Sequence, residues 1–455
     1  MRTIAALLFT VTAAAAEPAA DPAALQQIAN RIAGTIERHL GKKFEAAIPV
    51  EVISRDQLVA LGKRNIERLL PPAYLEVARK FAVRMRHIPA GFDLVGTQLE
   101  LLRTDAVGLY DPDADRYYLV EGAADLTTVP ALITAGHELV HAYRDVDKDY
   151  WTRMVTALRH DADWSMAIQF LYEGDAQLVG SAVGLAMFHR RGLGEVLPAV
   201  AARADRDADL ILRGIDAPRL KAFPRMMRHM FVGPYGHGVR LAGAVHRKGG
   251  KDALALAYDR PPRSTEQALH PEKYLSDTPD EPTIFFGGEP TAALGPGWRR
   301  LLTNVMGEFE LRAHLAGVLG AQAARGAAAG WDGARYYLCE GPARASMFHL
   351  ARHAPLFFGM VSTWDTEADA AQFAVSWAAW AARRDGGTPR TLERGADLLA
   401  VETRDGRVEV RILGRDVLVA DGVPTGRAAP VFAALSSATR AERKLDAHPS
   451  TERRE

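Results

Sequence analysis

The pattern of apolar and polar positions predicts an α+β protein that is mostly helical in its first part. Residues 21–39 have helical spacing, and an aspartate followed by a proline at their start is typical of a helix N-terminus. Residues 48–52 alternate as in a short strand. Residues 56–86 are helical again, with an interruption at the proline pair 71–72. The chain is therefore expected to begin with helices and one short strand.

A strand, a tight turn and a second strand are predicted next, at residues 106–110, 111–113 and 117–121. Beyond them the pattern is mostly helical to about residue 275. This order predicts a small antiparallel sheet followed by a group of helices.

A run rich in proline and glycine at residues 279–297 predicts a linker to a smaller α+β region at 298–430. Residues 298–328 have a helical pattern ended by Gly330. The last residues, 431–455, are expected to form a charged, loose tail. Strands are predicted at 336–339, 357–364, 398–401, 408–413 and 417–420, and a helix from the cap Asp365-Thr366 to Ala382.

The first sixteen residues have the pattern of a secretory signal peptide. Arg2 precedes an apolar run at residues 4–11, and Ala14 and Ala16 form a small-residue cleavage site. A secreted or periplasmic protein without a stable membrane span after cleavage is expected, with residues 17–278 as its first domain. An unprocessed N-terminal anchor is the alternative.

The composition is that of an ordinary globular protein. Its 455 residues include 56 Lys and Arg against 56 Asp and Glu, and 48% are hydrophobic. This neutral balance gives no support to nucleic-acid binding. Cys339 is the only cysteine, so an internal disulfide is excluded, and we expect a buried packing residue there. The sequence indicates no oligomeric state.

The most informative motif is His137-Glu138-Leu139-Val140-His141, a His-Glu-x-x-His pattern. Histidines four apart lie on one face of a helix and can share a metal ion, with the glutamate placed to accept a proton from a metal-bound water. Uncharged neighbours favour a buried helix, and Thr128 and Pro130 predict its start. The alternative is a buried helix with two incidental histidines.

A catalytic zinc needs a third protein ligand, and Glu173 is the best candidate. It lies in a helical pattern in which Gly174, Ala176 and Gly180 would let the second helix approach the first closely. A solvated helix carboxylate is the alternative for Glu173. Asp147 is a weaker candidate ligand, because Arg144 replaces the glycine turn that it would need.

His-Glu-x-x-His with a glutamate on a following helix resembles the gluzincin, or thermolysin-like, zinc metallopeptidases. The stretches 108–112, 173–176 and 264–274 also resemble a group of secreted, mostly uncharacterised bacterial putative metallopeptidases, so the resemblance spans about residues 95–275. It implies a zincin-like domain with one catalytic zinc. It also implies a strand bordering the cleft, to whose free edge an extended peptide can add.

The resemblance also implies roles for individual residues. Gln177 stands where thermolysin-like enzymes carry the aspartate that orients a zinc histidine, so Asp175 is the candidate for that contact. His270 lies at the position of the histidine that stabilises the oxyanion. From the sequence itself, Tyr235 in a glycine-rich stretch is a second candidate and His237 a weaker third. The alternative for each is ordinary structural hydrogen bonding.

These patterns predict a zinc-dependent peptidase with a peptide or protein substrate and Glu138 as general base. Two alternatives stay open. One is an inactive relative that holds zinc as a binding or structural module; the other is a zinc hydrolase of a non-peptide amide. His349 and His353 are also four apart, but no carboxylate or cysteine set completes a metal site, so they are expected to be structural.

Overall fold

The computed structural model describes residues 21–122, 126–145, 150–346, 349–386, 390–395 and 397–442, without the side chains of 344–353, 390–394 and 442. The predicted signal peptide, Asp147, the side chains of His349 and His353, and the end of the predicted tail lie outside the described parts. The helices are α1 Pro22–Leu40, α2 Arg55–Leu69, α3 Pro72–Arg84, α4 Leu94–Asp105, α5 Val129–Asp145, α6 Tyr150–His160, α7 Ala162–Phe188, α8 Leu193–Ala202, α9 Ala204–Leu212, α10 Arg225–Asp259, α11 Thr265–Leu269, α12 Pro271–Leu275, α13 Thr291–Leu294, α14 Glu308–Leu319, α15 Ala321–Ala328, α16 Glu367–Arg383 and α17 Ala428–Ser436.

The strands confirm the α+β class. They are β1 Val50–Ile53, β2 Gly108–Asp111, β3 Arg116–Val120, β4 Thr283–Phe286, β5 Arg299–Asn304, β6 Trp331–Glu340, β7 Arg344–Ser346, β8 His349–His353, β9 Leu356–Trp364, β10 Arg390–Arg394, β11 Leu398–Thr403, β12 Gly406–Leu413, β13 Asp416–Asp421 and β14 Thr439–Glu442.

The small N-terminal sheet has the order β1-β3-β2. The predicted hairpin is confirmed, because β2 and β3 pair antiparallel across a short turn. The first strand pairs parallel with β3, so the sheet is mixed and the expectation of a wholly antiparallel sheet was wrong. The chain makes this parallel return possible by passing through α2, α3 and α4 between the two strands.

Helices α5, α7 and α10 form the centre of the helical part. α7 is buried along most of its length, because α5 covers one side of it and α10 another. A proline at position 234 and a kink at Gly249–Gly250 bend the long α10, and Gly250 takes a positive φ of 63° that favours glycine. The main apolar core lies between these helices and α1, α6 and α8.

The C-terminal part is a seven-stranded antiparallel sheet of order β10-β11-β12-β13-β9-β6-β5. Helices α14, α15 and α16 cover one face, where Trp331, Trp364 and Trp377 are buried. The other face is covered by α13, α17 and the β4–β14 pair. Cys339 is buried in this second layer, as expected.

Three expectations for this part were wrong. Residues 299–304 form edge strand β5 rather than a helix, because pairing with β6 outweighs a local pattern that a bulge after Arg300 obscures. The expected linker contains β4 and α13. The expected loose tail contains the end of α17 and β14, which pairs with β4.

The helical part and the C-terminal sheet share a core. Phe81 of α3 stacks on Tyr336 of β6 with ring centroids 4.9 Å apart. Arg84 lies buried against Asp421 of β13. Within the described chain no helix has the length and apolarity needed to cross a membrane.

Candidate metal centre

Helix α5 places both motif histidines in the interior. Thr128 caps its start as predicted: its Oγ1 accepts a hydrogen bond of 3.4 Å from the Ala131 amide. Since α5 packs on α7 and on the small sheet, the motif is buried, with His137 5%, Glu138 2% and His141 3% exposed.

The structure brings His137, His141 and Glu173 together. The two Nε2 atoms are 3.0 Å apart, and Glu173 Oε2 lies 3.4 Å from the first and 3.6 Å from the second. Glu173 is itself only 2% exposed, so the alternative of a solvated carboxylate does not apply.

These three atoms fit a zinc ion. Bonds of about 2.0–2.1 Å in a tetrahedral site separate neighbouring ligand atoms by about 3.3 Å. The observed separations of 3.0, 3.4 and 3.6 Å lie around that value. Two imidazole nitrogens and a carboxylate oxygen are also a ligand set that catalytic zinc takes in proteins.

Close crossing of helices brings Glu173 to the histidines. A Cβ added to Gly180 of α7 would lie 2.6 Å from the His137 backbone nitrogen, so only glycine permits this approach. Gly174 serves a different contact from the predicted one: its added Cβ would lie 2.0 Å from the Gly238 carbonyl oxygen of α10. Glycines thus fix α7 against both of its neighbours.

Glu173 is ionised at the centre. Burial opposes its ionisation, but hydrogen bonds with His137 and His141 outweigh burial and hold its pKa at about 2. Burial and the nearby His137 lower the pKa of His141. A buried carboxylate beside a neutral imidazole supplies the electron pairs that a cation needs.

Glu138 points toward the small sheet. Its Oε2 accepts a hydrogen bond of 2.8 Å from the Tyr110 amide of β2. Burial raises its pKa to about 7, although the neighbouring His137 acts in the opposite direction. A carboxyl with a pKa near neutrality suits a group that takes and returns a proton.

Two tyrosine rings flank the histidines. Tyr235 of α10, predicted as a site residue, is buried and stacks on His137 with centroids 6.0 Å apart. Tyr172 of α7 stacks on His141 with centroids 3.9 Å apart. Each of these rings restricts the rotation of the imidazole on which it stacks.

The structure corrects the expectation for Asp175. Its Oδ2 accepts a 2.7 Å hydrogen bond from Arg144 Nε, and both side chains are buried. Among the described residues His141 Nδ1 has no hydrogen-bond partner, so Asp175 does not orient this histidine through a hydrogen bond. The guanidinium of Arg144 attracts the carboxylate instead.

His270 is not brought to the centre either. Its Nε2 lies 3.2 Å from Glu308 Oε1 and 3.1 Å from Arg312, and its ring is about one third exposed. Among the described residues no hydrogen bond or ion pair joins His270 to His137, Glu138, His141 or Glu173. His237 instead stacks on Phe170 and meets the Phe309 ring edge to face. Residues two apart on α10 point away from each other, and Tyr235 takes the position that faces the site.

Sequence reasoning missed the Tyr110 amide, the Tyr172 ring and the Arg144–Asp175 pair. The backbone amide of Tyr110 has no sequence signal, since every residue except proline has a backbone N–H group. Tyr172 directly precedes the candidate ligand Glu173, so its aromatic ring could have been recognised from the sequence. Arg144 is three residues after His141 on an otherwise uncharged helix face, and a buried arginine of this kind requires an acidic partner.

A second acidic group, Glu266, Asp280 and Asp365, also lies close enough for a metal. The ammonium group of Lys273 contacts all three carboxylates, at 2.6, 2.8 and 2.9 Å. Because this lysine pairs with every carboxylate of the cluster, the cluster is an ion-pair network.

Comparison with known proteins gives one family match. A model described as a domain of unknown function (DUF8575) matches residues 299–431, which run from β5 into α17. The candidate metal centre lies outside the matched residues. No curated protein and no solved structure matches the chain.

Proposed function

We propose that the chain is a zinc-dependent peptidase of the gluzincin type, acting on a peptide or protein outside the cytoplasm. The convergence of His137 Nε2, His141 Nε2 and Glu173 Oε2 beside the Glu138 carboxylate carries this proposal. Zinc held there supplies a Lewis acid that activates water and polarises the scissile carbonyl.

The chain's own groups then have distinct tasks. Glu138 accepts the proton of the attacking water and passes it to the leaving amine. The Tyr110 amide holds Glu138 in place, and the rings of Tyr172 and Tyr235 keep the imidazoles in orientation. Tyr235 remains the candidate donor to the developing oxyanion, because its ring lies next to His137.

One observation favours a second candidate, a module that holds zinc without hydrolysis. The side chains of His137, Glu138, His141 and Glu173 are 2–5% exposed, which suits a closed structural site. Against this, zinc retention does not require Glu138, whose carboxyl is nevertheless positioned by the Tyr110 amide.

Cleavage of a diverse peptide library by the protein and by Glu138→Gln tests the proposal, with zinc content measured for both. The proposal predicts chelator-sensitive cleavage that is lost in the variant at unchanged zinc. Bound zinc without cleavage in either protein overturns the peptidase and favours the binding module. Cleavage confined to small non-peptide amides favours the other hydrolase.

A further inference from the structure

A cavity of about 610 Å³ lies where the end of α3, the start of α10, α14 and α16 meet. None of the residues that line it belongs to the candidate metal centre. Its volume falls within the range of about 300–1,000 Å³ that small-molecule sites occupy, and such sites occur preferentially where two packed units meet.

The charged groups of this cavity are basic. Arg86, Lys221, Arg225 and Arg384 line it, and no aspartate or glutamate does among the described residues. Arg86 and Arg384 are already paired with buried or half-buried aspartates. In the described chain no ion pair engages Lys221 or Arg225, so these two cations face the cavity without a protein counter-ion.

The start of α10 adds backbone donors to the same wall. Pro224 precedes the helix, and no side chain caps it. The amides of the first turn have no intrahelical acceptor and carry partial positive charge. Since Pro224, Arg225 and Met226 line the cavity, these donors lie beside the two uncompensated cations.

The remaining wall is apolar and aromatic. Ile88, Phe92, Phe223, Val318 and Trp380 line it. His314 also lines it, is 4% exposed, and has no partner for its Nε2 among the described residues, while its Nδ1 lies 3.0 Å from His87 Nε2. A buried polar atom without a partner requires an explanation, and a ligand in the cavity that His314 lines supplies one.

We propose that this cavity binds an amphipathic organic anion, a molecule with one carboxylate and an apolar body. The carboxylate contacts Lys221, Arg225 and the first-turn amides of α10. The apolar body lies against Phe223, Trp380 and Val318. The site is independent of the proposed peptidase activity.

Calorimetric titration of the full chain with decanoate, and separately with decan-1-ol, tests the charge requirement. One decanoate per chain is expected, with decan-1-ol binding at least about tenfold more weakly, since its hydroxyl cannot make the charge-assisted hydrogen bonds that a carboxylate makes. Equal affinity for both molecules, or no binding of decanoate, overturns the proposal.

Two variants locate the site. Arg225→Gln combined with Lys221→Gln is expected to weaken decanoate binding at least about tenfold, whereas Arg206→Gln on exposed α9 surface leaves it unchanged. Gly317→Phe is expected to weaken binding at least about tenfold, because Gly317 lines the cavity and an added Cβ there meets no atom within 4 Å, so the fold accepts a side chain that competes with the ligand for space.

Gly192→Phe is the matched control, since its added Cβ also meets no atom within 4 Å and it does not line the cavity. Undiminished binding in folded Gly317→Phe overturns the assignment of this cavity. An equal loss of decanoate binding in Gly192→Phe also overturns this assignment.

Discussion

The Tyr110 amide donates a hydrogen bond of 2.8 Å to Glu138 Oε2 and thereby joins the outer strand of the small sheet to the helix of the two histidines. β2 is an edge strand, so this outward-facing amide has no strand partner. Glu138 takes that place. The edge expected to receive a peptide is therefore occupied at Tyr110 by the proposed general base.

Substitution of Glu138 is expected to separate stability from catalysis. Glu138→Gln keeps an oxygen that accepts from the Tyr110 amide, so its free energy of unfolding should change little. Glu138→Ala leaves a buried amide unpaired and should cost about 1–3 kcal/mol. Urea unfolding of both variants measures the difference. Equal stability of the two would show that the contact is not made in solution.

The α5–α7 crossing gives a second prediction. Gly180→Ala adds a methyl group 2.6 Å from the His137 nitrogen, so α7 must move away from α5. We expect a loss of about 1–3 kcal/mol and weaker zinc binding, because Glu173 moves with the helix. Gly317→Ala in α14 is the control. Its added Cβ meets nothing within 4 Å, so helix propensity should leave it as stable or more stable. Unchanged zinc affinity in Gly180→Ala would contradict the proposed dependence on this crossing.

The His-Glu-x-x-His motif and the small side chains within residues 171–180 predicted that Glu173 lies beside the two histidines. This part of the site could be read from the sequence. This is possible because a spacing of four residues on a helix by itself places two side chains on the same face. The position of His270 depends instead on how α11 packs against α14, a long-range contact that no local pattern records. The same limit applies to β5 and to the β4–β14 pair, whose strand conformation depends on partners distant in sequence.

The buried Arg144–Asp175 pair allows a double-mutant cycle. Arg144→Met or Asp175→Leu alone leaves an uncompensated buried charge and should cost about 3–5 kcal/mol. The double variant should lose much less than the sum, because both charges are removed together. Denaturant unfolding of the four proteins measures the coupling. Additive losses would contradict a direct interaction.

The half-buried His229 predicts acid sensitivity. Burial, with a contribution from Arg225, lowers the pKa of His229 to about 4, against about 6.5 in the unfolded chain. As the pH falls, the unfolded state binds a proton at this histidine before the folded state does. The contribution of neutral His229 to the free energy of unfolding is therefore complete above pH 6.5 and is lost as the pH falls toward 4.

His229→Gln should therefore gain stability relative to the wild type across that window, by at most about 3 kcal/mol at pH 4. Unfolding free energies measured from pH 7 to pH 4, with the metal chelated in both proteins, test this. If the unfolding free energies of the two proteins changed equally with pH, the lowered pKa of His229 would be contradicted.

The proposed function requires that His137, His141 and Glu173 hold one zinc ion. Anomalous diffraction at the zinc edge from crystals grown with zinc tests it most directly. One peak is expected within about 2.0–2.2 Å of the two Nε2 atoms and a Glu173 carboxylate oxygen. Ordered side chains with no peak between them, or a single peak elsewhere on the chain, would contradict it.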